Sequence, residues 1–232
     1  MPKIFLTEDH PLFCEGVRCI VERESDLVVV GDARRVGEAL EAIDRLSPDL
    51  VLTDLLLADG SGLELIKELK IRCPVVPVLV LSMHDEMLYA ERVVQAGGRG
   101  YLMKQLATCA VLLQAIRRVL AGGIYLSSGA AAFVLSGMSG RREEAACSRL
   151  DRLTDRELEV FELVGRGANV RQIAGRLQIS PRTVDAHRIH IREKLGLKDA
   201  AALIRYAVSW AEVEVVRSPA SQEAGFGGRE FS

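Results

Sequence analysis

Short apolar runs alternate with amphipathic segments five times between residues 3 and 121, and this alternation restricts the fold more than any other feature. The apolar runs are rich in β-branched residues and leucine, as in strands that are buried on both faces. Strands that alternate with helices form a parallel sheet with helices on both sides. We therefore predict an α/β unit with a five-stranded, doubly wound parallel sheet, with strands at 3–7, 27–32, 50–53, 76–82 and 100–103.

The C-terminal part of the chain has a wholly helical pattern. Thr154 and Glu157 have the spacing of a capping box, in which each residue satisfies a backbone N–H of the other. Ser180 before Pro181 has the form of an N-cap followed by proline at the first helical position. These signals predict a small all-α domain with helices at 155–166, 170–177, 181–195 and 199–211.

Changes in composition divide the chain into four segments. The α/β unit is predicted to span 1–122, and the Ser-, Gly- and charge-rich residues 123–149 are predicted to form a linker with a short helix at 130–135. The helical domain follows at 150–212. Residues 213–232 are rich in Gly, Ser and Glu and predict a disordered tail.

Charge is divided unevenly between the two predicted domains. Residues 1–122 carry 14 basic against 18 acidic side chains, whereas residues 150–211 carry 11 against 8. This asymmetry is expected when one domain handles a cation and the other meets a polyanion. No apolar run is long enough to span a bilayer, and the five cysteines include no Cys-x-x-Cys pair. We expect a cytoplasmic protein with reduced thiols and no membrane partner.

Polar residues stand where the predicted strands end, which is where open α/β sheets bind ligands. The carboxylates of the first and third strands should converge, because these strands are neighbours, and carboxylates in one site repel one another without a cation. Oxygen ligands that leave room for water suit Mg²⁺ better than zinc. A hydroxyl and an ammonium nearby could hold phosphoryl oxygens. The residues are Glu8, Asp9, Asp54, Ser82 and Lys104.

Two plainer interpretations remain open at this point. Asp54 alone could cap the turn that follows its strand, and the whole set could be a surface acidic patch with an unrelated serine and lysine. The joint placement of these residues at strand ends favours a phosphoryl site.

Residues 3–121 resemble the receiver domain of two-component response regulators. The resemblance implies that Glu8 and Asp9 are the metal-binding acidic pair, Asp54 the phosphoacceptor, Ser82 the conserved hydroxyl and Lys104 the invariant lysine. It further implies that Asp9, Asp54 and the backbone carbonyl of Leu56 ligate Mg²⁺ directly, with Glu8 acting through water.

The resemblance also assigns Tyr101 as the aromatic switch residue that turns inward when Ser82 contacts the phosphoryl group. An ordinary edge-strand aromatic is the competing interpretation. One departure from the family is Leu57-Ala58, where Met-Pro is common, and it leaves the lifetime of the phosphoryl group open. Gly60 and Gly62 are expected to keep this loop flexible.

Residues 153–210 resemble the four-helix LuxR-type helix-turn-helix of the NarL/FixJ regulators. The residues that match the family pattern are LTDRELEV from Leu153, Gly167, Ile173-Ala174, SPRTVDAHR from Ser180 and KLGL from Lys194. Helix 170–177 and helix 181–195 would form the helix-turn-helix, and the second helix would enter the major groove of DNA. The final helix resembles the dimerisation helix of the family.

Helix 181–195 supplies the predicted DNA contacts. Its arginines and Thr183 should hold phosphates, which sets affinity but not sequence preference. The resemblance brings positions 185, 186 and 189 near base edges, where Asp185 could accept from cytosine N4 and Ala186 or Ile189 could contact a thymine methyl. The full predicted set is Arg182, Thr183, Asp185, Ala186, His187, Arg188, Ile189, Arg192 and Lys194.

Two residues of this helix have competing interpretations. Asp185 could instead pair within its own helix and merely tolerate DNA. His187 and His190 have a spacing that could ligate a metal, but a phosphate contact or packing is favoured because no acidic or cysteine partner is spaced suitably nearby in the sequence.

The predicted function is that of a transcription factor controlled by phosphorylation. A sensor histidine kinase would donate a phosphoryl group to Asp54, and the protein would bind double-stranded DNA as a homodimer when phosphorylated or DNA-bound. RNA polymerase is a further candidate partner. The alternative is a phosphorylation-independent DNA-binding regulator whose receiver is a dimerisation module. An enzyme such as a phosphatase is disfavoured, because no further nucleophile–base pair accompanies the site.

Overall fold

The structure is a computed structural model that describes residues 1–138 and 149–217. Within these ranges the chain folds as two compact units, the first built on a sheet and the second helical. The sheet of the first unit has five parallel strands in the order β2-β1-β3-β4-β5. The strands are β1 (Lys3–Thr7), β2 (Val28–Ala33), β3 (Leu50–Thr53), β4 (Val78–Ser82) and β5 (Gly100–Met103).

Helices cover both faces of this sheet, which confirms the predicted doubly wound α/β class. Two of them, α1 and α5, pack with the strands into one apolar core, and α2, α3 and α4 lie side by side on the other face. The helices of the first unit are α1 (Pro11–Glu22), α2 (Val36–Leu46), α3 (Gly62–Arg72), α4 (Glu86–Ala96), α5 (Cys109–Leu120) and α6 (Ser128–Met138).

Four of the five predicted strands agree with the structure to within one residue at each end. The exception is β4, which begins at Val78 and not at 76, because Pro77 has no N–H to donate to a ladder. In the interior of the sheet, β3 and β4 are buried along their whole length and are apolar except for their last residues, Thr53 and Ser82, as expected for strands with helices on both faces.

The segment predicted as a linker begins as part of the first unit, which corrects the predicted boundary at 122. Tyr125 pairs with β5: its N–H donates to the Arg99 carbonyl at 3.0 Å, and its carbonyl accepts from Tyr101 N at 2.8 Å. Helix α6 then packs on α4 through Ala90 and Ala130. The short helix predicted at 130–135 is confirmed as the middle of α6. The rest of the predicted linker, 139–148, lies outside the described residues.

The described part of the second unit, 149–217, begins with a short 3-10 turn at Arg149–Arg152 and has four α-helices: α7 (Asp155–Gly165), α8 (Val170–Leu177), α9 (Pro181–Leu195) and α10 (Ala200–Arg217). Both predicted N-caps are present, because Thr154 and Glu157 form a complete capping box and Ser180 Oγ accepts from Thr183 N at 3.1 Å.

The core of the second unit includes an aromatic cluster. The Phe161 ring lies 5.8 Å from the Tyr206 ring and 5.5 Å from the Trp210 ring, so α10 is anchored to α7. Helix α10 continues to Arg217, which corrects the start of the predicted disordered tail at 213. The remainder of that tail, 218–232, lies outside the described residues. No helix in the described ranges combines the length and the apolar character needed to cross a bilayer.

Gly62 is required by close packing and not by loop flexibility, which corrects the expectation for this glycine. A Cβ at this position would lie 2.0 Å from the carbonyl oxygen of Asp54. The Gly62 N–H also donates to the Leu55 carbonyl at 2.8 Å. The start of α3 therefore packs directly against the backbone that carries Asp54.

We expect Gly62→Ala to lower the free energy of unfolding of the first unit by roughly 1–3 kcal/mol, because the backbone of Asp54 must move away from the added methyl group. The measurement is urea-induced unfolding followed by circular dichroism. Gly16→Ala is the matched control, because Gly16 is on the exposed side of α1, no atom from outside the helix lies within 4 Å of its Cβ position, and alanine favours the helix there. Equal behaviour of the two variants would contradict the packing argument.

Candidate functional site: an acidic centre at the strand ends

The register of the sheet brings together the residues that follow β1 and β3. Thr7 and Thr53 are paired across the two strands, so Glu8 and Asp54 come next on adjacent strands. Lys104 follows the last residue of β5 and reaches across this edge of the sheet. The predicted convergence of Glu8, Asp54 and Lys104 is therefore present in the structure.

Lys104 forms a buried ion-pair bridge between the two carboxylates. Its Nζ lies 2.6 Å from Glu8 Oε2 and 2.8 Å from Asp54 Oδ2, and all three side chains are at most 6% exposed. The other carboxylate oxygen of Asp54, Oδ1, accepts from Leu55 N at 2.6 Å. The ammonium also lies 4.3 Å from the centre of the Phe13 ring, a cation–π distance. The orientation of Asp54 is thus defined by a charged and a backbone contact.

The site carries more negative charge than Lys104 neutralises. Burial and repulsion from Asp54 raise the pKa of Glu8 above its ordinary value, and the contacts with Lys104 only partly oppose them. Burial alone would lower the pKa of Lys104, but attraction to Asp54 and hydrogen bonds to Asp54 and Glu8 outweigh it, so this pKa is raised. Lysine therefore stays charged, and a further cation at this edge would be favourable.

The donor set fits a divalent cation. Ligand atoms of Glu8, Asp9, His10 and Asp54 lie within 4.8 Å of one another. His10 was not among the predicted residues: its Nδ1 lies 2.9 Å from Glu8 Oε1 and 2.7 Å from Asp9 Oδ1. Its position directly after the acidic pair was the signal in the sequence. Three carboxylates with a surplus of negative charge are the oxygen ligands that Mg²⁺ prefers.

Ser82 also ends a strand and is fully buried. In the described part of the chain its Oγ has no hydrogen-bond partner. Buried hydroxyls are nearly always paired, and an exception requires an explanation. A hydroxyl of this kind at the carboxyl end of β4, the neighbour of β3, is available for a ligand oxygen.

Tyr101 lies inside the first unit, since its side chain is 1% exposed. Its hydroxyl donates to the His84 carbonyl at 2.9 Å, which joins β5 to the loop that follows Ser82. Leu56 is buried in the loop after Asp54 and forms an isolated bridge with Ser61.

The loop after Asp54 is held by backbone hydrogen bonds despite its departure from the Met-Pro pattern. Leu57 N donates to Gly60 O and Ala58 N to Arg34 O, each at 3.1 Å. The buried Leu57 side chain adds an apolar anchor.

The predicted DNA-contacting residues of α9 fall into two groups by exposure. Val184 and Ile191 are buried, so the opposite side of the helix faces outward. The exposed group is Arg182, Thr183, Asp185, Ala186 and Ile189, and the half-buried group is His187, Arg188, Arg192 and Lys194.

Several of these side chains already have partners within the second unit. Arg188 Nη1 lies 3.7 Å from Asp185 Oδ1, the intrahelical pair that competes with a base contact by Asp185. Burial lowers the pKa of His187, so this imidazole is not a strong phosphate anchor near neutral pH. Lys194 Nζ lies 2.6 Å from Glu157 Oε2 of α7, so this predicted DNA contact has an internal partner.

Comparison with known protein families agrees with both units. The model of the response regulator receiver domain matches residues 4–117. The model of the bacterial regulatory proteins of the luxR family matches residues 151–207.

Similarity to individual proteins extends over almost the whole chain. The transcriptional regulatory protein MctR of Rhizobium johnstonii is 33% identical over 92% of this chain and 96% of that protein. The transcriptional regulatory protein DegU of Brevibacillus brevis is 31% identical over 91% and 95%. The oxygen regulatory protein NreC of Staphylococcus aureus is 32% identical over 89% and 96%.

Solved structures share the architecture. A structure of the RcsB response regulator of Salmonella typhimurium has a TM-score of 0.66 and 25% identity, covering 90% of this chain and 97% of that one. A LuxR-family two-component response regulator from Aurantimonas has a TM-score of 0.55 and 31% identity over 60% of this chain.

The parallel sheet with its acidic centre and the helix-turn-helix unit therefore have a common explanation. The chain belongs to the two-component response regulators, and it joins a receiver domain to a LuxR-type DNA-binding domain. Proteins of this family are transcription regulators.

We expect Lys104→Met to lower the free energy of unfolding of the receiver by roughly 3–5 kcal/mol, because it leaves two buried carboxylates without their counter-charge. Mg²⁺ should restore part of this loss, since a cation replaces the missing positive charge. The measurement is hydrogen exchange of the β3 amides in urea, with and without Mg²⁺.

Lys70→Met is the control, because Lys70 is exposed and its Nζ makes one contact of 3.4 Å with the Gln95 carbonyl. Its effect should stay within about 0.5 kcal/mol. If both variants lost the same stability, the bridging role of Lys104 would be wrong.

Proposed function

We propose that the protein is a DNA-binding response regulator in which phosphotransfer to Asp54 controls dimerisation and the binding of specific DNA sequences. The observation that carries this proposal is the contact of Lys104 with Asp54 inside a buried acidic centre, next to a strand that ends in the unpaired Ser82 hydroxyl. A carboxylate held in this way could receive a phosphoryl group once Lys104 moves its contact to a phosphoryl oxygen, and the Ser82 hydroxyl is a further donor for the oxygens of that group.

The phosphoryl donor would be a phosphohistidine of a sensor histidine kinase. A carboxylate oxygen of Asp54 attacks phosphorus, the bond from phosphorus to the imidazole nitrogen breaks, and the electron pair leaves with that nitrogen. Lys104 then exchanges its contact with Asp54 for one with a phosphoryl oxygen, and the Ser82 hydroxyl donates to another. The receiver thus assists only its own phosphorylation and dephosphorylation.

Mg²⁺ is the cation proposed for this centre. Asp9, Asp54 and the backbone carbonyl of Leu56 would hold it directly and Glu8 through water. The bound ion would neutralise the charge of the incoming phosphoryl oxygens. The surplus of carboxylates over ammonium groups supports this assignment.

Tyr101 and α9 are the proposed readout of the phosphoryl group. Tyr101 is bonded to the carbonyl of His84, two residues after Ser82, so a shift of Ser82 toward phosphate would reach β5. The phosphorylated homodimer would place two α9 helices on related half-sites of double-stranded DNA. A regulator of this type acts on chromosomal DNA in the cytoplasm, where RNA polymerase is a further candidate partner.

We expect Asp54→Asn to abolish labelling of the full chain by acetyl phosphate with Mg²⁺, because an amide cannot form the acyl phosphate. Intact-protein mass spectrometry measures the added phosphoryl group. Asp59→Asn is the matched control, since Asp59 lies in the same loop, is exposed and accepts from Val36 N at 2.8 Å.

The same experiment separates phosphorylation control from the alternative of a constitutive dimerisation module. Wild type that stays unlabelled, and whose dimerisation and DNA binding do not respond to acetyl phosphate, would favour the alternative. Labelling that persists in Asp54→Asn would place the phosphoacceptor elsewhere.

We expect Asp185→Ala to change the preferred bases at one position of each half-site, because a carboxylate near cytosine N4 selects for that base. The measurement is selection of bound duplexes from a random pool with wild type and variant. An unchanged preference would show that Asp185 serves only its pair with Arg188.

A further inference from the structure

The angle between α8 and α9 decides whether the second helix of a helix-turn-helix fits the major groove. Only residues 178–180 separate the two helices, and Gln178 ends α8 in the left-handed region with φ of 53°. Because this turn is short, contacts from outside the α8–α9 helix pair must help to hold the angle between the two helices. The first turn of α7 supplies two of them.

Arg156 binds the end of α8. Its Nη2 donates to the carbonyl oxygen of Leu177, the last residue of that helix. The last carbonyls of a helix lack partners within it, so this bond satisfies an acceptor that would otherwise be open. Arg156 Nη1 donates to Glu159 Oε2 at 2.8 Å, which fixes the guanidinium along α7.

Glu157 binds the end of α9. Its Oε2 accepts from Lys194 Nζ at 2.6 Å and from the backbone N–H of Thr154 at 2.7 Å. Lys194 is the residue before the last in α9. Glu157 is 3% exposed, and a carboxylate is tolerated there because both donors compensate for the lost water.

The charge of Glu157 is also maintained. Burial alone would raise the pKa of Glu157, but the hydrogen bonds from Lys194 and Thr154 outweigh it and hold this pKa below its ordinary value. Two histidines of α9 also face this carboxylate: His190 Nδ1 lies 3.9 Å from Oε1, and His187 interacts with Glu157 electrostatically.

We propose that Arg156 and Glu157 form a two-point clamp that holds both helices of the helix-turn-helix, and that Lys194 is a positioning residue within it and not a DNA phosphate contact. Adjacent residues of one helix turn hold the end of α8 and the end of α9. Lys194 could reach a phosphate only by leaving the buried carboxylate of Glu157 without its lysine counter-charge. The proposal rests on the DNA-binding function proposed above and assigns Lys194 a different part in it.

The two roles of Lys194 predict opposite results in salt. The variants are Lys194→Met and Glu157→Gln in the full chain, and the probe is a duplex that wild type selects from a random pool. If Lys194 belongs to the clamp, each single variant weakens DNA binding about tenfold or more, and the slope of log K against log salt concentration does not change. The double variant then binds DNA as well as the single variant with the lower affinity, because both substitutions break the same contact. As a phosphate contact, Lys194→Met would lower the slope by about 0.9, and Glu157→Gln would leave binding unchanged or strengthen it.

Control variants calibrate this measurement. Arg182→Met removes an exposed cation of α9 and should lower the salt slope by about 0.9. Lys194→Arg keeps a cation that can bind Glu157 and should recover most of the lost affinity. Fluorescence of Trp210, the single tryptophan of the chain, checks that each variant is folded, because its ring packs on Phe161 of α7.

Hydrogen exchange tests the clamp without DNA. Amides in the last turn of α9 should exchange faster in both Lys194→Met and Glu157→Gln, whereas the exposed-residue control Lys198→Met should leave them unchanged. Unchanged exchange in the first two variants would overturn the clamp. Failure of wild type to select any duplex would instead overturn the DNA-binding function, with the clamp still decided by exchange.

Discussion

The ammonium group of Lys104 is the contact on which the receiver depends. It is the counter-charge for two carboxylates that would otherwise be buried beside one another, and it comes from a strand at the opposite side of β4. The acidic centre is therefore balanced only when β1, β3 and β5 have their correct order and register. Fold and chemistry share this requirement, since a misplaced strand would leave charge buried without compensation.

Much of this centre could be predicted from the sequence because its members are tied to strand ends. Parallel strands that are buried on both faces have a clear apolar pattern, and Asp54 and Lys104 follow such runs directly. The sheet then determines which ends meet. The apolar pattern does not point to His10, and its position directly after Glu8 and Asp9 is the one feature of the sequence that suggests its ring lies beside the acidic pair.

Contacts between helices were harder to predict. Glu157 and Lys194 are 37 positions apart, and each has a sufficient local explanation, one as a capping-box residue and the other as a cation on a DNA-facing helix. Helical periodicity says which face of a helix is apolar but not which charged residue of another helix it meets. The packing of α6 on α4 could not be predicted for the same reason. Small residues such as Ala90 and Ala130 form this contact, and the spacing of such residues in the sequence does not show which helix they pack against.

Tyr125 has a consequence for how the receiver can be separated from the rest of the chain. It is the only described residue that pairs with the outer edge of β5, the last strand of the sheet. A chain that ended at 122 would leave the Tyr101 N–H and the Arg99 carbonyl open, and such edges recruit strands from other molecules. The segment that the sequence suggests is a spacer therefore covers the outer edge of the sheet. In any exchange of modules between regulators, residues 123–138 belong with the sheet that they protect.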